Sequence, residues 1–286
     1  MRDSSSQVGL VVRDLGRMAY GEALALQRQL QGAVINRRRA AEVGRRRAGY
    51  LLLVEHDPPV ITVSRRKGAR QHLTATEAQL QAAGVVVAET DRGGDITYHG
   101  PGQLVAYPIV DLNVLGLRTH GYMRLLEQVV IDTLAEFGIA GHRDESATGV
   151  WVERQNAETP KRRNVETSRR RDEMQRAGPS SAPAASESET ACRSPSPPAP
   201  LPGGEGRESA KICAMGVRIS RWVAMHGLAL NVTTNLDHFD LIIPCGLAGR
   251  SVTSMARLLS DACPPMDEVK RVLAEKFQQA ITAPLV

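Results

Sequence analysis

Short apolar runs alternate along this chain with longer segments of helical period. Residues 8–13, 50–55 and 60–64 are compact and rich in Val, Leu and Ile, the pattern of strands, and Asp57-Pro58-Pro59 separates the last two. From residue 18 to about 47, Ala23, Leu26 and Leu30 recur at the spacing of one helix face. Thr74-Ala75-Thr76-Glu77 reads as a capping box that opens a short helix ending at Gly84. A β-branched run at 85–89 and an apolar run at 104–110 predict two more strands. Leu125, Leu126, Val129 and Leu134 give the stretch 119–137 an apolar helix face, stopped at Gly138. Strands are expected at 149–152, 211–218, 222–232 and 241–243, and two closing helices at 252–259 and 267–280. Strands and helices mix without strict alternation, so the pattern predicts an α+β fold with a mixed sheet.

Residues 154–207 break that picture. They hold 8 of the chain's 16 prolines and no aromatic residue, with ten Lys/Arg against seven Asp/Glu. Such a stretch buries too little apolar surface to offset its chain entropy. The expectation is a single domain over 1–286, interrupted at about 154–207 by a disordered low-complexity insertion, which costs little because loop-closure entropy grows slowly with length. Cys192 lies inside it and receives no role.

The net charge of +5 is spread between that stretch and the clusters Arg37-Arg38-Arg39 and Arg45-Arg46-Arg47. Aromatic residues make up 3% of the chain and do not interleave with the basic ones, which argues against nucleic acid. No apolar run reaches the roughly 18 residues that span a bilayer, and residues 1–6 lack the apolar core of a secretory signal. The four cysteines, at 192, 213, 245 and 263, form no Cys-x-x-Cys pair. No zinc site or disulfide framework is implied, and a cytoplasmic location away from membranes fits best.

Four segments carry candidate chemistry. The run 239–246 ends in Pro244-Cys245-Gly246, which stops a strand and turns a thiol toward a loop or cleft. A thiol of ordinary pKa is only about 3% thiolate at pH 7, so Cys245 needs an activating neighbour; Lys211, His99, His226 and His56 are the candidates. Arg92 through Gln103 holds four glycines and a proline around Arg92, Thr97, Tyr98 and His99, the composition of a ligand loop. It lacks the Gly-Lys-Ser/Thr of a P-loop and is not a dinucleotide fingerprint. Lys211 precedes the apolar run Ile212-Cys213-Ala214-Met215-Gly216. A desolvated lysine there serves as a base or holds a thiolate, and equally marks the exposed start of a strand. In Met225 through Val232, Gly227 and Ala229 leave room for something to pack over a strand, while His226 suits a core histidine as well as an active one.

Taken together, these segments resemble the octanoyltransferase family: Arg92-Gly93-Gly94 through Gln103-Leu104, Lys211-Ile212 with Gly216-Val217-Arg218, His226 through Val232, and Phe239 through Gly246. Glu55-His56 with Pro58-Pro59 resembles an early segment of the same family. The resemblance implies a biotin/lipoate protein ligase-like α+β fold, a mixed β-sheet with flanking helices. It implies transfer of an octanoyl group from acyl carrier protein to a lysine on lipoyl domains of 2-oxoacid dehydrogenase complexes and on the glycine cleavage H protein. Cys245 would carry the acyl group and Lys211 would lower its pKa. Arg92, Gly93, Gly94, Asp95, Ile96, Thr97, Tyr98 and His99 would contact substrate. So would Ala214, Met215 and Gly216, and Gly227, Leu228 and Ala229. Backbone N–H groups near Gly94, His99 or Gly216 would bind the oxyanion. No ATP, metal or other cofactor is implied, and the chain is expected to be a monomer. Three rivals stand beside this reading: an ATP-dependent lipoate or biotin protein ligase, a cysteine hydrolase, and a non-catalytic acyl-binding protein.

Overall fold

The computed structural model describes residues 9–39, 47–153, 209–243 and 250–282. These residues belong to one compact unit. The expected insertion at 154–207, with Cys192, lies outside them, as do residues 40–46 and Pro244, Cys245 and Gly246.

Eleven strands and five α-helices follow one another in the described residues. They are β1 (Gly9–Met18), α1 (Tyr20–Arg39), β2 (Arg47–His56), β3 (Val60–Ser64), α2 (Glu77–Ala82), β4 (Val86–Thr90), β5 (Ile96–His99), β6 (Gln103–Val110), α3 (Thr119–Glu136), β7 (Gly141–His142), β8 (Val150–Glu153), β9 (Ser209–Ser220), β10 (Val223–Asn231), β11 (Ser251–Val252), α4 (Met255–Leu259) and α5 (Met266–Thr282). The large sheet runs β1-β2-β6-β10-β9-β8-β7, with β11 pairing β9, and a second sheet runs β4-β3-β5. Parallel pairs (β1 with β2, β3 with β4, β11 with β9) sit among antiparallel ones. This is the expected α+β architecture.

The central strands are apolar on both faces because both are covered. On β2, Leu51 and Leu53 face a cluster that includes Leu126 and Leu134 of α3 and Leu273 and Phe277 of α5, while Leu52 and Val54 face Tyr20, Ala23 and Leu30 of α1. On β6, Leu104 and Ala106 take the first side, and Val105, Tyr107 and Ile109 the second. The small sheet has its own core of Ile61, Val63, Ile96, Tyr98 and Phe239. No helix in the described residues is long and apolar enough to cross a membrane.

Four local expectations change. The helix expected to run to residue 47 is described over Tyr20–Arg39, and Arg47 belongs to β2, which pairs with β1 from Gly9. The capping box belongs to Thr76 and Gln79: the Thr76 N–H donates to Gln79 Oε1 at 2.8 Å, and the Gln79 N–H donates to Thr76 Oγ1. Thr74 and Ala75 instead donate their N–H groups to the Leu241 carbonyl. Residues 241–243 are not a strand. A 3-10 helix (Leu236–Leu241), capped by Asn235, leads to an isolated bridge between Leu73 and Ile242. The glycine-rich loop contains β5, which pairs with β3.

Candidate active site

Three of the glycine-bearing segments converge on one narrow cavity of about 30 Å3, partly open to solvent. Its walls come from Arg92, from Thr97 and His99 on β5, from Ala214–Gly216 on β9, from His226–Ala229 on β10, and from Val105, Tyr107 and Tyr20. The absence of side chains is what brings the segments together. A Cβ at Gly216 would come within 2.6 Å of the Gly93 carbonyl oxygen, and one at Gly227 within 2.2 Å of the Ala106 carbonyl oxygen. Gly216 therefore lets the Arg92–Gly94 turn lie on β9, where the Gly93 N–H donates to the Val217 carbonyl at 2.9 Å. Gly227 lets β10 sit flush on β6.

Strand alternation divides the expected contact residues. Thr97 and His99 face the cavity, whereas Ile96 and Tyr98 point into the small-sheet core. The Tyr98 hydroxyl pairs with His238 Nδ1 at 2.8 Å. Asp95 is buried, with its carboxylate 2.7 Å from His72 Nδ1. Met215 and Leu228 pack their side chains on the α3 side of the sheet, which leaves their backbone for the cavity wall. Gly93 and Gly94 build the turn rather than the wall: the Gly94 carbonyl accepts from Ser64 Oγ at 3.0 Å. Arg92 donates to the Thr62 and Asp95 carbonyls and to Thr62 Oγ1, so its guanidinium also knits this turn to β3.

The cavity is walled by neutral histidines. His99 is fully enclosed, and burial first, then the nearby His56 and Arg92, push its pKa well below the usual value. Its Nδ1–H donates to Gln103 Oε1 at 2.7 Å, which leaves Nε2 unprotonated. His56, behind it, is pushed down to about 4 by burial. Its Nδ1 faces the Met18 carbonyl at 3.0 Å, and its Nε2 accepts from the Tyr107 hydroxyl at 2.7 Å. Burial also lowers His226, against the pull of Asp91, whose carboxylate lies 2.9 Å from Nε2. Burial opposes the charge on Asp91, yet the bond from His226 and the Arg218 guanidinium at 2.8 Å outweigh it, and its pKa falls. His226 holds a left-handed backbone (φ 59°), a strain that its N–H bond to Gln27 Oε1 helps to fix.

These depressed values have a sign. His56 is neutral when folded and titrates near 6.5 when unfolded, so between about 6.5 and 4 the unfolded chain binds the extra proton. Its contribution is complete above about pH 6.5 and is lost as the pH drops, the loss reaching about 3 kcal/mol near pH 4. Chemical denaturation at pH 7 and pH 5 should therefore show a clear loss at pH 5. His56→Gln should be less stable at pH 7 and lose less between the two.

A chain of hydrogen bonds leaves the cavity. Gln103 Nε2 donates to Asn231 Oδ1 at 2.9 Å, Asn231 Nδ2 donates to the Thr253 carbonyl at 2.9 Å, and the Thr253 N–H donates to the Lys211 carbonyl at 2.9 Å. Lys211 is the third residue of β9 and half-buried, not the strand's exposed start. Its Nζ donates to the Thr148 carbonyl at 3.0 Å and lies 4.8 Å from the centre of the Trp151 ring. Gly149, at φ 129°, clears its path: a Cβ there would stand 3.3 Å from Lys211 Cε. The segment holding Cys245 is bracketed by anchored residues. The Ile243 N–H donates to the His72 carbonyl at 2.8 Å, and Arg250 pairs with Asp144 at 2.6 Å and stacks 4.7 Å from the Trp151 ring. Of the two described cysteines, Cys213 is fully buried and desolvation pushes it up to about 12, while burial also raises Cys263. Neither is an activated thiol. No cluster of three or more His, Cys, Asp or Glu in the described residues could hold a metal ion.

Tyr20, Val105 and Tyr107 are cavity residues that the sequence did not single out. One signal was available. The chain has five tyrosines, and Tyr107 interrupts an otherwise aliphatic strand. The polar chain through Gln103 and Asn231 lay within segments already marked, but nothing in the sequence ties the two residues together.

A mixed sheet covered by helices, with a mostly apolar slot at its centre, fits the class that the sequence match defines: residues 19–278 match the lipoyl protein ligase A/B catalytic domain. The octanoyltransferase of Christiangramia forsetii is 37% identical over 279 residues, 96% of either chain. That of Chloroflexus aggregans is 40% identical over 261 residues, 91% of this chain and 89% of the relative. The chain belongs to the octanoyltransferase family and is an acyltransferase. Among solved structures, the bipartite lipoate protein ligase of Thermoplasma acidophilum superposes with a TM-score of 0.54 at 13% identity, over 96% of this chain and 84% of that one. A lipoate-protein ligase A bound with ATP gives 0.52 at 12% identity, over 96% and 85%. At that identity the likeness concerns the fold.

Proposed function

We propose that this acyltransferase moves an octanoyl group from acyl carrier protein to a lysine of lipoyl domains and of the glycine cleavage H protein, through a thioester on Cys245. The cavity carries the reading. Its walls are small and apolar residues together with histidines held neutral by burial. An acyl tail entering it displaces no charged imidazole, and Arg92 and Thr97 leave polar groups for the carbonyl end.

The chemistry balances without a cofactor. The Cys245 thiolate attacks the donor thioester, a new S–C bond forms, the donor's S–C bond breaks, and the donor leaves as its thiol with a proton from the site. The acceptor lysine then attacks as the free amine. Its N–C bond forms, the Cys245 S–C bond breaks, and the proton lost by nitrogen returns to the site. Thioester exchange is nearly balanced in energy, and amide formation drives the second half. Lys211 holds the thiolate in the first half and passes the proton in the second. N–H groups of the Gly94–His99 and Gly216 segments are the oxyanion donors in this reading. The two described cysteines are weaker candidates than Cys245, because burial disables Cys213 and raises Cys263.

Intact-mass spectrometry of the protein mixed with octanoyl-acyl carrier protein tests this directly. The expected result is a gain of one octanoyl group, removed by hydroxylamine, mapped to the Cys245 peptide, and passed to an added lipoyl domain. An unmodified enzyme beside unconsumed donor would sink the proposal.

A further inference from the structure

On the outer side of the small sheet, residues 64–71 form a second concavity of about 650 Å3, open to solvent and lined by Arg65, Arg66 and Arg70 with Ser64 and Glu89. Arg65, Arg66, Lys67 and Arg70 are all exposed. None of the four side chains has a hydrogen-bond or carboxylate partner among the described residues. Elsewhere arginines are engaged: Arg218 and Arg28 with Asp91, Arg38 with Asp111, Arg124 and Arg143 with Glu127, Arg250 with Asp144. Four side-chain cations within six residues, unpaired among the described residues and beside one exposed carboxylate, leave a local excess of positive charge suited to an anionic partner.

The placement of this segment gives the excess a purpose. At one end, Ser64 Oγ donates to the Gly94 carbonyl and the Ser64 N–H to the Asp95 carbonyl, which joins it to the turn carrying Arg92 at the cavity wall. At the other end, the His72 carbonyl accepts from Ile243, two residues before Cys245, and Leu73 bridges Ile242. The basic segment is thus the stretch of chain between the cavity-wall turn and the contacts of Ile242 and Ile243. A macromolecule delivering an acyl group must arrive at this lip.

We propose that the Arg65-Arg66-Lys67-Arg70 surface docks the acidic face of the protein that donates the acyl thioester. This rests on the acyl-transfer reading above and adds the donor's binding site. Charges at an exposed rim act mainly through encounter and salt dependence, so the surface sets affinity for the donor and leaves the chemistry alone.

The test uses the triple variant Arg65→Gln, Arg66→Gln, Arg70→Gln in the full chain. Fluorescence anisotropy reads its binding of octanoyl-acyl carrier protein across a salt series. Acylation from the small, uncharged donor octanoyl-pantetheine is measured alongside. The expected result is about tenfold weaker binding of the protein donor with a flatter salt dependence, and acylation by the small donor as in the parent. Unchanged protein-donor binding overturns the docking proposal while leaving acyl transfer standing. Equal loss with both donors overturns it too, since the residues would then belong to the active site. A defect confined to passing the octanoyl group from preloaded enzyme to a lipoyl domain would assign the surface to the acceptor and also overturn it. A parent chain acylated by neither donor would remove the acyl-transfer reading, and this one with it.

Discussion

Cys245→Ser is expected to fold as the parent does and to lose octanoyl transfer by about a thousandfold or more. A serine hydroxyl at neutral pH is a far weaker nucleophile than a thiolate, and the site's histidines are poor replacements for a strong general base at that oxygen. Burial makes His99 a weak base although its Nε2 is unprotonated, His56 is neutral with Nε2 occupied by Tyr107, and His226 is committed to Asp91. An oxygen ester formed in place of the thioester would also pass its acyl group to an amine more slowly. Two readouts separate the outcomes: transfer to a lipoyl domain, followed by gel shift or mass, and the hydroxylamine-labile adduct. A variant that keeps more than a tenth of parental transfer would remove Cys245 from the mechanism. Attention would then move to direct attack by the acceptor amine on the donor thioester, with the cavity only orienting the two.

Lys211→Met should cost about a hundredfold in transfer and shift its pH dependence. In the proposed mechanism the Lys211 ammonium favours the thiolate, so removing it should raise the pKa of the Cys245 thiol. Below that raised pKa the reactive fraction falls tenfold per pH unit. The rising limb of the acylation profile, and that of iodoacetamide alkylation at Cys245, should move together to higher pH. Lys211→Arg distinguishes the two tasks assigned to this residue. A guanidinium keeps the positive charge but does not give up a proton, so acylation should survive better than passage to the acceptor amine. The variant also has to thread the gap cleared by Gly149 beside the Trp151 ring, where the lysine stem now runs. An unmoved pH profile in Lys211→Met would leave Lys211 as a packing residue on Trp151.

The arrangement of the site was legible in the sequence to the extent that glycine betrays close backbone approach. Gly93, Gly216 and Gly227 lie far apart in the chain, yet each marks where one strand or turn lies directly on another. Periodicity recovered the central strands for the same reason that they are buried on both faces. Which residues of a marked segment face the slot could not be read. The stretch from Arg92 to Gln103 has a loop's composition, so the four-residue β5 inside it went unseen, and with it the alternation that sends Thr97 and His99 one way and Ile96 and Tyr98 the other. The apolar run before Pro244 looked like a strand because Leu241, Ile242 and Ile243 are β-type residues. Asn235 caps a 3-10 turn just ahead of them, and the pairing that would make a strand is reduced to one bridge. The roles of Tyr20 and Tyr107 depend on contacts among α1, β2 and β6 that no local pattern encodes.

The four hydrogen bonds that lead out of the cavity all point the same way. From His99 through Gln103 and Asn231 to Thr253 and Lys211, every donor lies on the cavity side of its acceptor. Side-chain amides have a fixed sense, so turning either one by half a revolution would set like atoms against each other on both sides. The tautomer of His99 in the cavity wall is therefore dictated by the main-chain oxygen of Thr253, whose own N–H is anchored on the strand that carries the lysine. Anyone transplanting the slot of one such enzyme onto the frame of another inherits this polarity, and must carry the two amides across as a pair.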